Sequence, residues 1–167
     1  MQHNTPAHDT LWKLIQGIKF GMFTHRNASG MLHAHPLTTQ NKTFDEDALL
    51  YFFVPRNGEI AGRIGQDPGV NISYADPGDD RYVSVSGDAR LDESQAKKEA
   101  LFSPMAKAWF PQGAADPNLA LLAVQVHHAE YWDVDASKMV QLYKMAKAAM
   151  TGEQPRDLGE HKELHLS

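Results

Sequence analysis

The segment His33-Ala34-His35 is the pattern in this chain that most directly suggests chemistry. Residues i and i+2 of a strand face the same side, so both imidazoles could reach one metal ion. His127 and His128 are adjacent, so on a strand they would point to opposite faces and at most one could add a ligand. No HExxH motif or other carboxylate spacing accompanies the pair. We therefore predict solvated or hydrogen-bonded histidines here, and no metal site.

Two pairs of aromatic residues, Trp109-Phe110 and Tyr131-Trp132, form a second candidate group. Buried aromatic residues usually pack a core, which is one interpretation of both pairs. Trp109 precedes a loop rich in proline and glycine, an unusual setting for a core residue. It could instead flank a planar ligand or fill a dimer interface. The sequence leaves these interpretations open.

Motifs and composition argue against several classes of function. The sequence has no phosphate-binding P-loop, dinucleotide glycine fingerprint or nucleophile elbow. The absence of cysteine rules out disulfides and thiol chemistry. A net charge of −5 without a dense Lys/Arg run argues against nucleic-acid or membrane partners. We expect a cytoplasmic protein, because the N-terminus lacks a signal-peptide core and no window approaches the ~18 apolar residues of a membrane span.

The elements that must position these residues are mostly antiparallel strands. Residues 68–91 predict a hairpin, since apolar and polar residues alternate on both sides of a proline–glycine turn at 76–80. Pro36 predicts a bulge or a sheet edge in its strand, because proline cannot donate to a ladder. The apolar run at 49–54 is typical of a strand buried on both faces, and residues 25–30 are predicted to form a turn. Further strands are predicted at 19–24, 31–39 and 119–134.

Helices are predicted at the start, middle and end of the chain. Asp9 or Thr10 is the expected cap of the first helix, and Ser137 that of the last. The pattern predicts a mainly β protein with flanking helices, an antiparallel barrel of about six strands. We expect one domain over residues 1–150, followed by a polar, flexible tail at 151–167.

Eight segments match a known family in the same order: Leu11–Ile15, Phe20–Thr24, Ala34–Leu37, Tyr51–Phe53, Val70–Pro77, Tyr82–Gly87, Ala108–Pro111 and Ala129–Asp133. Together they resemble the bacterial general stress proteins of the pyridoxamine 5′-phosphate oxidase-like superfamily. Each segment alone would be a weak signal, whereas the ordered set is specific. The resemblance implies a split β-barrel homodimer that binds FMN at the subunit interface.

The resemblance also implies where the flavin would lie. Its phosphate and ribityl chain would contact the strand at 34–39, and the strand at 52–54 with the turn after it would complete the pocket. Tyr82 matches a pocket position, and Trp132 matches a tryptophan that packs near the cofactor in the oxidases. With Trp109 added as a planar contact, the predicted cofactor-binding residues are His35, Pro36, Leu37, Phe53, Val54, Gly58, Ile60, Tyr82, Trp109 and Trp132.

The chain departs from the family pattern where the phosphate is expected. His35 replaces the usual arginine, and Gly58 and Ile60 replace serine and lysine. The true oxidases have Arg-Lys at the positions of Glu59 and Ile60, and lysine at that of Gln40. Phosphate binding depends on charge-assisted bonds from such cations, so most of the expected partners are missing. Cations nearby in sequence that could substitute are Lys42, Arg56 and Arg63.

These features predict an FMN-binding general stress protein, with flavin-dependent oxidoreductase activity on an unknown substrate as one role. A true pyridoxamine 5′-phosphate oxidase is not expected, because the basic residues that would hold its phosphorylated substrate are missing. No residue pair identifies a catalytic acid or base. One alternative is a non-enzymatic flavin carrier or sensor. Another is a split barrel that binds haem or another planar ligand through His33, His35 or His127.

Overall fold

The computed structural model describes residues 5–134, 138–154 and 159–166. Among these residues, no helix is long and apolar enough to cross a membrane. Two short 3₁₀ turns lie at Ala106–Ala108 and Gly113–Ala115. The other elements are α1 (Pro6–Ile18), β1 (Phe20–Arg26), β2 (Leu32–Thr38), β3 (Leu49–Pro55), α2 (Glu59–Arg63), β4 (Gly69–Asp76), β5 (Arg81–Asp92), α3 (Gln95–Leu101), β6 (Leu119–Asp133), α4 (Lys138–Thr151) and β7 (Glu160–His165).

All the described strands belong to one antiparallel sheet. Its order is β2-β1-β4-β5-β6-β3, and β7 pairs with β6 outside this path. An isolated bridge between Thr39 and Phe52 joins the chain after β2 to β3, so the two ends of the sheet meet. The predicted antiparallel barrel with flanking helices is therefore confirmed. Pro36 lies on β2, an end strand of the order, as expected for a residue that cannot donate to a ladder.

The C-terminal segment, which the sequence predicted as a polar, flexible tail, contains a strand. Residues 160–165 form β7, which runs antiparallel to the last part of β6. Leu164 of this strand is buried against the main core, and Glu160 accepts a hydrogen bond of 2.8 Å from the hydroxyl of Tyr131. The sequence did not predict this strand, because its residues are mostly polar and show no apolar period. Pairing with β6 stabilises the strand instead.

Two apolar clusters hold the sheet and helices together. The main core contains Leu11 and Ile15 of α1 together with the inward side chains of the strands. Phe52 faces this core, whereas its neighbour Phe53 lies in a second cluster with Phe110 and residues of β6. The prediction that β3 is buried on both faces is thus confirmed.

The first helix begins earlier than the sequence predicted. Thr5 is its N-cap, and the Thr5 hydroxyl oxygen accepts a hydrogen bond from the amide of His8 at 3.3 Å. Pro6 suits the first helical position because its missing N–H would have no partner there. The predicted caps Asp9 and Thr10 are instead inside the helix. Ser137, the predicted cap of the last helix, lies outside the described residues.

The hairpin between β1 and β2 is also longer than predicted. β1 continues through His25 to Arg26, so the strand includes residues that the sequence placed in the turn. Asn27 makes the turn short: its side-chain oxygen accepts hydrogen bonds from two amides and one hydroxyl of the following residues, at 2.7–3.1 Å. Such local acceptors replace the lost ladder bonds. His25 therefore lies directly opposite His33 in the ladder.

A bulge interrupts the pairing of β5 with β6. The register shifts between Ser86 and Gly87, and β6 continues through His127 and His128 as one strand. A Cβ at Gly87 would overlap the backbone carbonyl of Gln125. Only glycine allows this close approach of two backbones.

Candidate metal and flavin site

Three histidines and one glutamate meet beside the β1–β2 hairpin; we call His25, His33, His35 and Glu59 the His–Glu cluster. The Oε2 atom of Glu59 lies 2.7 Å from Nδ1 of His33, 2.9 Å from Nε2 of His35 and 3.3 Å from Nε2 of His25. The Nε2 atoms of His25 and His35 lie 3.2 Å apart. Three imidazoles thus converge on a single carboxylate oxygen.

Strand register and a helix start bring the cluster together. His25 and His33 are opposite each other, and His33 and His35 are two residues apart on β2, so all three project from one face. Glu59 is the first residue of α2, directly after the N-cap Gly58. The Thr39–Phe52 bridge holds β2 near β3, which leads into this helix. The cluster is therefore positioned by regular elements and not by a long loop.

Burial and charge differ across the cluster. His25 is 1% exposed, and its Nδ1 atom has no hydrogen-bond partner among the described residues. Glu59 is partly exposed, and His33 is half exposed. The hydrogen bond with His33, followed by those with His35 and His25, lowers the pKa of Glu59 to about 2. The carboxylate is therefore ionised throughout the neutral range.

Two of these four residues could not be recognised from local spacing. His33 and His35 form the pair noted in the sequence, but His25 was predicted in a turn and Glu59 was not assigned a role as a ligand. The register of the hairpin could have identified His25, because its partner across the ladder is His33. Glu59 is 24 residues from His35, and only the fold brings them together.

Five of the predicted cofactor-binding residues lie on or near the core side of the barrel. His35 is in the cluster, and Leu37 alternates with it and packs against the main core. Val54 and Ile60 are buried in that core, and Gly58 caps α2 between them in sequence. The structure therefore places the turn at 58–60 beside β2.

Three other predicted residues lie on the opposite face of the sheet. Pro36 alternates with His35, and its ladder partner is Met22. Tyr82 lies opposite Trp132, whose ring stacks on His161 with centroids 5.1 Å apart and planes 5° apart. Large apolar side chains are exposed on this face, which we call the outer apolar face: Phe20, Met22, Tyr82 and Trp132.

The remaining two predicted residues lie elsewhere. Phe53 is buried in the second cluster, beside Phe102 and Phe110. Trp109 is 81% exposed, whereas its neighbour Phe110 is buried. Phe110 therefore packs in a core, whereas the exposed Trp109 is free to contact a ligand or a second subunit. Each residue fits a different one of the interpretations that the sequence left open. In a single chain, the ten predicted residues do not form one pocket.

Of the histidines invoked for a haem site, His33 and His35 belong to the His–Glu cluster, whereas His127 lies elsewhere. His127 lines a shallow depression of about 460 Å³ and pairs with Asp88 at 3.0 Å. That depression includes none of the predicted cofactor-binding residues, and none of the His–Glu cluster.

Of the three basic residues named as possible substitutes, Arg56 and Arg63 are paired with other side chains. Arg56 makes two hydrogen bonds to Glu93, at 3.1 and 3.0 Å. Arg63 donates to the side-chain oxygen of Gln66 at 2.7 Å and approaches Asp67. Both cations are paired with other side chains, and the ionised Glu59 lies where the resemblance implies positive charge. The residues present therefore do not fit the phosphate of FMN in the manner that the resemblance implied.

The chain is similar to several known proteins. The family described as "Pyridoxamine 5'-phosphate oxidase like" matches residues 6–156. General stress protein 26 of Bacillus subtilis (strain 168) is 33% identical over 87 residues, which cover 50% of this chain and 61% of that protein. The chain thus spans less than two thirds of this relative's length.

Two solved structures have the same fold. A chain from Jannaschia sp. CCS1 has a TM-score of 0.73 and 22% identity, covering 95% of this chain and 98% of that one. The general stress FMN/FAD binding protein from Xanthomonas citri has a TM-score of 0.68 and 29% identity, covering 77% and 89%. These similarities extend over most of the barrel.

Proposed function

Because this chain belongs to the pyridoxamine 5′-phosphate oxidase-like family, we propose that it is a flavin-binding general stress protein that acts as a homodimer. One observation carries the proposal: the Xanthomonas citri protein, described as binding FMN or FAD, is 29% identical over 77% of this chain. FMN is the flavin we propose, as the resemblance implied.

The outer apolar face supports a second copy of this chain as the partner. Phe20 is 57% exposed and Met22 is 44% exposed, on a sheet face that a soluble monomer would leave in water. Patches of this kind commonly mark interfaces. A partner would also supply a second set of the predicted residues, which one chain leaves in separate groups.

On this face, two aromatic side chains could contact the flavin ring. Tyr82 and Trp132 are partly exposed and adjacent across the ladder. Aromatic side chains of this kind stack on planar ligands and exclude water from them. A bound flavin would supply hydride or electron transfer, while the protein would orient it. Oxidoreductase activity is part of the proposal, and a carrier or sensor role is its alternative.

Titration of FMN into the purified full chain tests the proposal. We expect saturable quenching of flavin fluorescence at one FMN per chain, with weaker binding in Trp132→Ala. Tyr143→Ala is a matched control, because Tyr143 is an exposed aromatic residue on α4. Absence of quenching at any FMN concentration would overturn the proposal. If flavin binds, its rapid reduction by NADH or NADPH would separate the enzyme from the carrier.

A further inference from the structure

Although the sequence alone predicted no metal site at His33 and His35, we propose that the His–Glu cluster is a binding site for one divalent first-row transition-metal ion, such as Zn²⁺. The site consists of His25, His33, His35 and Glu59, and it stands on the arrangement of their side chains independently of flavin binding. Each residue offers one ligand atom, and these atoms all lie within 4.8 Å of one another.

The spacing of the ligand atoms is close to that of a tetrahedral site. With Zn–N bonds of about 2.0–2.1 Å, neighbouring ligand atoms lie about 3.3 Å apart. Nε2 of His25 is 3.2 Å from Nε2 of His35 and 3.3 Å from the Glu59 oxygen. The other two contacts to this oxygen, 2.7 and 2.9 Å, are hydrogen-bond lengths. To reach the tetrahedral spacing, these two contacts would have to lengthen by about 0.4–0.6 Å.

The donor types favour a transition metal. Neutral imidazole and carboxylate together suit zinc, iron, cobalt and nickel, whereas Mg²⁺ and Ca²⁺ prefer oxygen ligands. Without an ion, a proton must lie between the ring nitrogens of His25 and His35 if their contact is a hydrogen bond. With an ion, all three nitrogens direct lone pairs at one centre.

The site combines a rigid base with an open side. The fully buried His25 ring lies on β1, in the ladder with β2. His33 and Glu59 are partly exposed, so an ion can enter the site from solvent. Ligands on strands and a helix start are held more precisely than ligands on loops.

A second group of possible ligands, His128, Glu163 and His165, differs in these respects. It offers two imidazoles in place of three, and none of its side chains is buried. The short contact between His128 and Glu163, 2.6 Å, joins β6 to β7 and is explained by strand pairing. We assign the metal to the His–Glu cluster and use the second group as a control.

The test is a calorimetric titration of the chelator-treated full chain with Zn²⁺. We expect one tight site per chain. His33→Ala and His35→Ala should each weaken it by more than the roughly 10–100-fold that loss of an outer-shell partner costs. His165→Ala and His127→Ala should leave it unchanged. Both cluster residues are partly exposed, so these variants should keep the wild-type circular dichroism spectrum.

Cobalt provides a second readout that reports the ligands themselves. Bound Co²⁺ should give visible ligand-field absorption in the wild type and in His165→Ala, but not in His35→Ala. Mg²⁺ should not compete at equal concentration. Two results would overturn the proposal: no saturable Zn²⁺ site in the wild type, or a site that survives His35→Ala and is lost in His165→Ala. Either would leave the cluster as a hydrogen-bonded group alone.

Discussion

The Nε2 atoms of His25 and His35 face each other at 3.2 Å across two neighbouring strands. Glu59 places a carboxylate oxygen within 3.3 Å of both atoms. The structure thus concentrates three imidazoles and one negative charge where the family resemblance implied cations for a phosphate. This replacement of the expected cations by a carboxylate links the proposed flavin site to the proposed metal site, because an ion in the cluster would restore the missing positive charge.

Replacing the carboxylate by a cation should improve flavin binding. Glu59→Arg removes a negative charge and adds a donor of the kind that binds phosphate. We expect FMN to bind about tenfold tighter or better in chelator-treated protein, since 1.4 kcal/mol corresponds to a factor of ten. Fluorescence titration measures the change.

Glu99→Arg is the matched control for net charge, because Glu99 is an exposed residue of α3. An equal gain in this control would show a general charge effect and contradict the assignment of Glu59 to the phosphate end of the site.

A divalent ion should have a similar effect on the wild type. Zn²⁺ in the His–Glu cluster would offset the charge of Glu59 and could accept a phosphate oxygen as a further ligand. We expect FMN binding to strengthen when Zn²⁺ is added to chelator-treated protein, and this effect to vanish in His35→Ala. An FMN dissociation constant that does not respond to Zn²⁺ would show that the two sites are independent.

The outer apolar face should control the oligomeric state. Light scattering should give twice the chain mass of 18.6 kDa for the wild type. Met22→Asp places a charge in the middle of the proposed interface and should yield a monomer, because an unpaired charge is costly to bury. Met150→Asp, on a strongly exposed position of α4, should remain dimeric. A monomeric wild type would contradict the homodimer.

Gly87 should be intolerant of a side chain. In Gly87→Ala, the new Cβ would overlap the carbonyl of Gln125 at the bulge, so one strand must shift. We expect a loss of about 1–3 kcal/mol in the free energy of unfolding. Gly17→Ala is the control: nothing lies within 4 Å of its Cβ position on α1. That variant should gain about 0.5–1 kcal/mol from helix propensity. Denaturant titrations with equal m-values would measure both changes.

Alkaline pH should destabilise the protein through Tyr131. Burial, followed by the hydrogen bond to Glu160, raises the pKa of Tyr131 to about 12. An unfolded tyrosine ionises near pH 10, so between about pH 10 and 12 the folded state holds the extra proton and stability falls as pH rises. Tyr131→Phe should show a shallower fall across this window, measured by thermal unfolding at several pH values. An identical fall in the variant would assign the effect to other groups.

The barrel was predictable because its signals are local and repeated. The alternation at Val70, Ile72 and Tyr74 identifies one strand, and the register of β4 with β5 agrees with the predicted hairpin. β7 was missed because its polar residues carry no apolar period, and only Leu164 is buried. Its stability comes from a partner strand far away in sequence.

The candidate site was half predictable for a different reason. His33 and His35 lie two residues apart, so their shared face follows from strand geometry. His25 was missed because the side chain of Asn27 shortens the turn, which extends β1 by two residues. Glu59 joins the cluster through the Thr39–Phe52 bridge and the start of α2, and no local pattern encodes that contact.

The presence of an ion in the His–Glu cluster is tested most directly by anomalous X-ray diffraction from crystals of the full chain grown with Zn²⁺ and FMN. We predict an anomalous peak at the zinc edge about 2.0–2.2 Å from the ligand atoms of His25, His33, His35 and Glu59. A cluster still closed by its hydrogen bonds, with no peak between these four residues, would contradict the proposed metal site.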